Sequence, residues 1–462
     1  MLSVLRQKPG FYSHLWKLAL PIILQNLITT SLGFVDTFMV GLLGNDQLSA
    51  VTAANTPIFL VQVIIFGLMS GLTVLVSQYW GRGDAESINR VMGVAAYAGL
   101  AVSGAAALVL LLFPTQVMAL VTDNVRLIGL GAPYVRIVGV SYVFNALSSV
   151  YVGMQRSTEN PGFGMKVFAA SMLLNTCLNY CLIFGNLGAP RLEIVGAAAA
   201  TLASRVVEFL IVLVYALRSR RVPLIPGALL RPGRAMLKSA VVYAGPVIVN
   251  ESLWGLGTAM MTAIMGHMAI SADMLAAYAI MGNIDKFSTV ACFGVAGATA
   301  VIVGKRIGER AEQEEVYSVS CCLLAVSFLL GLVIGAALAV LLPTVFIPVL
   351  YPLFHLTDTA RRAAVDMCLV YIVTMPLKSF DISNITGVLR AGGDARMAAV
   401  LDLGPLWLVA VPMTALTGLV LDAPVALVCL SIYSECLCKM PLGILRLRSR
   451  KWINDVTVQK GD

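Results

Sequence analysis

The sequence predicts an all-α polytopic membrane protein, twelve transmembrane helices built as two six-helix pseudo-symmetric lobes. Three observations carry this. Only 12% of the 462 residues are charged and 59% are hydrophobic, whereas soluble domains carry roughly 25% charged residues. The mean hydropathy is +0.87, and apolar runs of about 20 residues, enough to cross a bilayer, recur along the chain. Segments of the first half also reappear in the second in the same order.

The elements are taken in order. A short basic lead carries Arg6, Lys8 and Lys17. Span 1 covers about 18–43; it is too long for a signal-peptide core and has no small-residue cleavage site, so it is read as retained. Spans 2 to 6 fall at about 56–79, 92–114, 130–153, 166–187 and 194–217. The basic linker RSRRVPLIPGALLRPGR follows, and Pro223, Pro226 and Pro232 keep it from continuing as helix. Spans 7 to 12 fall at about 239–266, 279–303, 317–342, 366–389, 398–420 and 424–444. The domains are therefore an N-lobe (1–217), a cytoplasmic linker (218–238), a C-lobe (239–446) and a cytoplasmic tail (447–462).

An even number of spans puts both termini on one side. That side holds most of the loop arginines and lysines, from Arg82, Arg90, Arg156 and Lys166 to Lys305, Arg306, Arg390 and Arg396. The basic side is cytoplasmic, which predicts a multi-pass inner-membrane protein with both termini inside. The net charge of +8 thus reflects topology, and no nucleic-acid partner is expected. The nine cysteines lie mostly in apolar segments and form no CxxC pair, so they read as small hydrophobes.

The halves repeat as follows. LALPIILQNL near Leu18 aligns with VYAGPVIVNESL near Val242, GLMSGLTVLVSQYWGRGDAES with GVAGATAVIVGKRIGERAEQE, and Arg156 with Arg390. Halves of six spans share one orientation, as in transporters whose sites lie near mid-membrane.

Charges inside the spans mark candidate sites. Asp36 lies in the otherwise apolar LALPIILQNLITTSLGFVDTFMVGLL. It either faces a cavity and handles a cation, or is hydrated near the outer surface. Glu251 in span 7 and Asp381 in span 10 both lie roughly 13–18 Å from the cytoplasmic ends of their spans, at 1.5 Å per residue. At that shared depth they could hold one cation or proton together. Lys378, three residues before Asp381, could instead neutralise it. Arg205 and Glu208, i and i+3, most simply pair with each other, whereas adjacent Asp285 and Lys286 point apart. Asp402 and Glu435 are candidates for a substrate cavity or for supporting the acids. Arg156 and Arg390 read as snorkelling residues at span ends. His14, His267 and His355 fall near span ends or in loops, which disfavours a buried histidine relay. Trp254, Met260, Met261, Met265, Tyr278 and Phe287 could line a cavity for organic cations or simply pack.

VDTFMVGLLG after a proline in span 1, NPGFGMKVFAASMLLNTCLNYCLIFG, the GAAAAT start of span 6 and VLRAGGDAR after span 10 resemble the multidrug and toxic compound extrusion (MATE) family, from about Leu15 to Arg448. The resemblance implies a V-shaped pair of lobes and antiport driven by Na+ or H+, with no other cofactor. It implies that Asn175, Asn179 and Thr201 join Asp36 at a cation site, although much of the family has aspartate where this chain has Asn179. Glu251 and Asp381 match the acids of the family's sodium-driven bacterial branch. Small-molecule organic cations and the lipid bilayer are the expected partners, and the chain is expected to act as a monomer. A lipid-linked precursor flippase is the alternative, but it would need a more cationic cavity. No HExxH, GxSxG or phosphate loop supports an intramembrane enzyme.

Overall fold

The computed structural model describes residues 7–354, 356–421 and 423–458. Arg6 and His355 lie outside them. The described residues form twelve long helices: α1 (Phe11–Gly41), α2 (Asn45–Arg82), α3 (Ala85–Leu112), α4 (Val125–Ser157), α5 (Pro161–Phe184), α6 (Glu193–Arg218), α7 (Arg234–Gly266), α8 (Ser271–Gly308), α9 (Gln313–Leu353), α10 (Asp358–Leu389), α11 (Ala395–Val420) and α12 (Val425–Arg448). Eleven of them are long and apolar enough to cross a membrane. The twelfth, α7, carries Asn250 and Glu251 at its middle.

The helices follow the predicted spans but run past them: α2 and α8 each have 38 residues. A hydropathy reading stops at the hydrocarbon edge, whereas backbone hydrogen bonding continues into the loops. Caps then set the ends. Gly83, with φ +70°, closes α2, and Asp84 Oδ1 accepts from Ser87 N at 2.9 Å to open α3. Thr357 Oγ1 accepts from Ala360 N at 3.1 Å at the start of α10.

Among the described residues, wide π-type turns interrupt only α9 (Leu342–Leu350), α10 (Ser383–Leu389) and α11 (Leu406–Ala410 and Leu416–Val420). Prolines explain most of them: Pro343 and Pro348 lie inside the first, Pro405 directly precedes one in α11, and Pro412 lies four residues before the other. Each proline removes an i→i−4 bond, and the wider turn re-satisfies the freed carbonyls inside the apolar layer. In α12 the helix breaks at Tyr433.

The chain divides into two compact units, the N-unit (Leu24–Ile248) and the C-unit (residues up to Ile23 and from Val249 onward). The boundaries fall inside α1 and α7 rather than in the 218–238 linker, and packing explains it. Leu15, Leu18, Ala19 and Ile22 of α1 are buried among Val295, Ala298 and Ile302 of α8. In the N-unit, α2 meets the first part of α7 at Gly71, where an added Cβ would overlap the Ala244 backbone. Small residues let membrane helices approach this closely. Gly71→Val is therefore expected to cost ~1–3 kcal/mol or more through overpacking. It should appear as a lower melting temperature of the detergent-solubilised protein, and an unchanged melting curve would refute the close contact.

Two segments read as polar connections are docked. Pro226 opens a short helix, Pro226–Leu230, rather than only blocking one, because proline is tolerated in a first turn. Asn89 of α3 holds this linker at both ends of its side chain: Nδ2 donates to Pro223 O at 3.0 Å and Oδ1 accepts from Ile225 N at 3.1 Å. After α12 the tail turns back into the C-unit. Trp452 is fully buried, its Nε1 donates to Leu447 O at 3.0 Å, and Asn454 N donates to Gly392 O at 2.9 Å. Only glycine fits at 392, since a Cβ there would overlap the indole.

Candidate functional site

In the N-unit the polar residues form a chain. Asn175 and Asn179 are one turn apart on α5, so both amides point the same way. Asn179 Nδ2 donates to Asp36 Oδ1 of α1 at 2.6 Å and to Asn175 Oδ1 at 3.0 Å. Asn175 Nδ2 in turn reaches Thr201 Oγ1 at 3.5 Å and Ser204 Oγ at 3.4 Å on α6. Both asparagines are buried, and Asp36 is half-buried. Asn179 Oδ1 is buried with no hydrogen-bond partner among the described residues. A carboxylate, two amide oxygens and a hydroxyl are the hard donors that a small cation prefers. The residues fit such an ion, and Asp36 offers a proton acceptor at the same place.

Ser204 was not singled out in the sequence. Its only signal is its position three residues after Thr201, which puts both on one face of α6. Arg205 and Glu208 do pair, at 2.7 Å, with the Glu208 side chain fully buried.

The C-unit arranges its charges differently from expectation. Glu251 and Asp381 are not held as a pair. Glu251 of α7 instead binds Arg390 of α10, Oε1 to NH2 at 2.8 Å. Arg390 is only 2% exposed and does not snorkel. Lys378 does not neutralise Asp381 either. It hydrogen-bonds Asp285 of α8 and lies over the Tyr371 ring, 5.2 Å from the centroid. Asp285 thus has a definite partner that its neighbour Lys286 could not be, because adjacent helical residues diverge.

A third pairing centres on Lys439 of α12. Its Nζ donates to Asp402 Oδ1 of α11 at 2.8 Å and lies 2.9 Å from Glu435 Oε2. Asn250 Nδ2 donates to Asp402 Oδ2 at 2.8 Å. Asp381 is 5% exposed, and neither of its oxygens has a hydrogen-bond partner among the described residues. It lies within range of the Lys439, Glu435 and Asp402 charges. The sequence reading overlooked Lys439 because an (i, i+4) Glu435–Lys439 pair on a helix looks like ordinary surface pairing.

The candidate cavity liners separate. Met261 and Met265 are buried in the C-unit core, where the flexible methionine side chain fills gaps, and Tyr278 packs against that core. Trp254, Met260 and Phe287 are exposed, at 40%, 40% and 44%. Asp402 is committed to Lys439 and Asn250. His14 and His267 are exposed.

Membrane-length helices that carry linked acids and amides are the architecture of a polytopic membrane transporter. A family model described as MatE matches residues 21–181 and 246–416, and the chain belongs to that family of multidrug efflux transporters. It is a transporter rather than an enzyme. The chain is 25% identical over 413 residues to the probable multidrug resistance protein YoeA of Bacillus subtilis (strain 168), covering 88% of this chain and 87% of that protein. It is 22% identical to the multidrug export protein MepA of Staphylococcus aureus (strain N315), covering 86% and 85%. Among solved structures it resembles a MOP superfamily transporter from Pyrococcus furiosus whose binding pocket has reversed polarity, with a TM-score of 0.85, 18% identity and 99% of both chains covered. An outward-facing MATE multidrug resistance transporter matches with a TM-score of 0.83 at 19% identity, over 97% of this chain and 98% of that one. These likenesses establish the all-helical two-lobe fold.

Proposed function

We propose that this protein is an antiporter that exports amphipathic organic cations, driven by inward flow of Na+ or H+. The observation that carries the reading is the Asp36–Asn179–Asn175–Thr201 chain, an acid backed by buried amides inside a membrane-length helix. An intramembrane carboxylate is costly and is kept for a function. Relatives named as multidrug export and resistance proteins support a drug-like cargo. The basic loops support a plasma-membrane location with both termini cytoplasmic, and we read the chain as acting as a monomer. Coupling requires that the ion favour one conformational state and the cargo the other; equal affinity for both states would drive nothing. An acid that takes either the ion or the cargo supplies that difference.

The test is efflux of a cationic dye from proteoliposomes under a sodium gradient or a pH gradient, imposed separately. Efflux under at least one gradient and none without either is the expected result. Correctly inserted protein that moves no dye under either gradient would overturn the reading in favour of another cargo class, such as a lipid-linked precursor.

A further inference from the structure

The two units treat a cation differently. The N-unit offers Asp36 and Asn179 Oδ1, which has no hydrogen-bond partner among the described residues. The C-unit gathers four acids, Glu251, Asp381, Asp402 and Glu435, but brings two bases with them. Arg390 takes Glu251 at 2.8 Å. Lys439, 6% exposed, takes Asp402 and Glu435 at 2.8 and 2.9 Å. An ammonium with carboxylates at these distances occupies the place where a small inorganic cation would be coordinated. A sodium ion entering beside it would meet a like charge at close range in a poorly screened interior.

We propose that Lys439 is the resident cation of the C-unit and the residue that sets its ion selectivity: while its ammonium bridges Asp402 and Glu435, this unit does not bind sodium. The residues present therefore do not fit the sodium site that the acids alone suggest. Asp381 is the second, independent sign of a cation-binding interior, because it is an acid at 5% exposure with no hydrogen-bond partner among the described residues. Glu435, Cys436 and Lys439 of α12 and Asp402 of α11 are the ionisable groups that act on it electrostatically. Removing the ammonium leaves Asp402 and Glu435, whose oxygens lie 2.8 and 2.9 Å from its place, with the Asp381 carboxylate in electrostatic range as a further hard oxygen donor. The inference rests on the cation-coupled reading for its meaning but not for its test, which is a binding measurement.

The test is sodium titration of the purified full-length protein by calorimetry, in an Asp36→Asn background that silences the N-unit site. The background alone is expected to show no saturable sodium binding. Adding Lys439→Gln should create one saturable site, a gain in affinity of at least ~100-fold, the scale a close like charge removes in a buried site. Adding Asp381→Asn as well should abolish the new site. Should Lys439→Gln fail to give monodisperse protein, Lys439→Gln with Glu435→Gln removes one charge of each sign and is expected to bind sodium through Asp381 and Asp402. Two results would overturn the proposal. One is sodium binding in the Asp36→Asn background that Asp381→Asn removes while Lys439 is present. The other is folded Lys439 variants that gain no sodium site. A protein that moves no dye in the gradient assay would sink the transport reading and leave this result standing.

Discussion

Asp36→Asn is expected to abolish gradient-driven efflux while leaving the folded protein intact. The substitution is nearly isosteric, and the new amide oxygen can still accept from Asn179 Nδ2, which now reaches Asp36 Oδ1 at 2.6 Å. The hydrogen-bonded chain to Asn175, Thr201 and Ser204 does not depend on the charge. What is lost is the one group in that chain that can take a proton or neutralise a cation. Without it the ion has no preference for either state, and the gradient does no work on the cargo. Dye efflux should therefore fall by up to ~150-fold, the upper end of typical coupling free energies, with an unchanged melting temperature. Efflux at the wild-type rate from normally inserted protein would remove Asp36 from the coupling mechanism.

Trp452→Ala is expected to produce the largest loss of stability, ~3–5 kcal/mol for deleting a buried aromatic. The indole is fully buried against Gly392 and bonded to Leu447 O, and the turn that carries it is pinned by Asn454 N on Gly392 O. Truncation leaves a cavity that the glycine opposite cannot fill. The measurement is thermal unfolding of the purified protein, alongside a variant changed at exposed Val458. Equal melting temperatures for the Trp452 and Val458 variants would mean that the tail is not seated.

The twelve helices were legible because hydropathy reports membrane depth, and depth is a property of each segment alone. The Asp36 cluster was legible in part: the (i, i+4) spacing of Asn175 and Asn179 puts two amides on one face whatever the neighbours do. The C-unit was less legible because its pairs join residues 93, 139 and 37 positions apart. Depth placed Glu251 and Asp381 at one level, but level does not fix rotation about the helix axis. Arg390 and Lys439 therefore chose the partners. The buried tail was missed because RLRSRK is polar on average, and one tryptophan after it carries the packing.

The order of the paired residues along the chain bears on biosynthesis. In three ion pairs that join different membrane helices of the C-unit, Glu251–Arg390, Asp285–Lys378 and Asp402–Lys439, the acid precedes the base. Since the chain emerges from the ribosome N-terminus first, each acid enters the membrane before its partner exists. A waiting carboxyl can shed its charge by holding a proton, whereas an arginine cannot. The nascent chain therefore never has to store one of these cations in the bilayer without its acid already there to receive it.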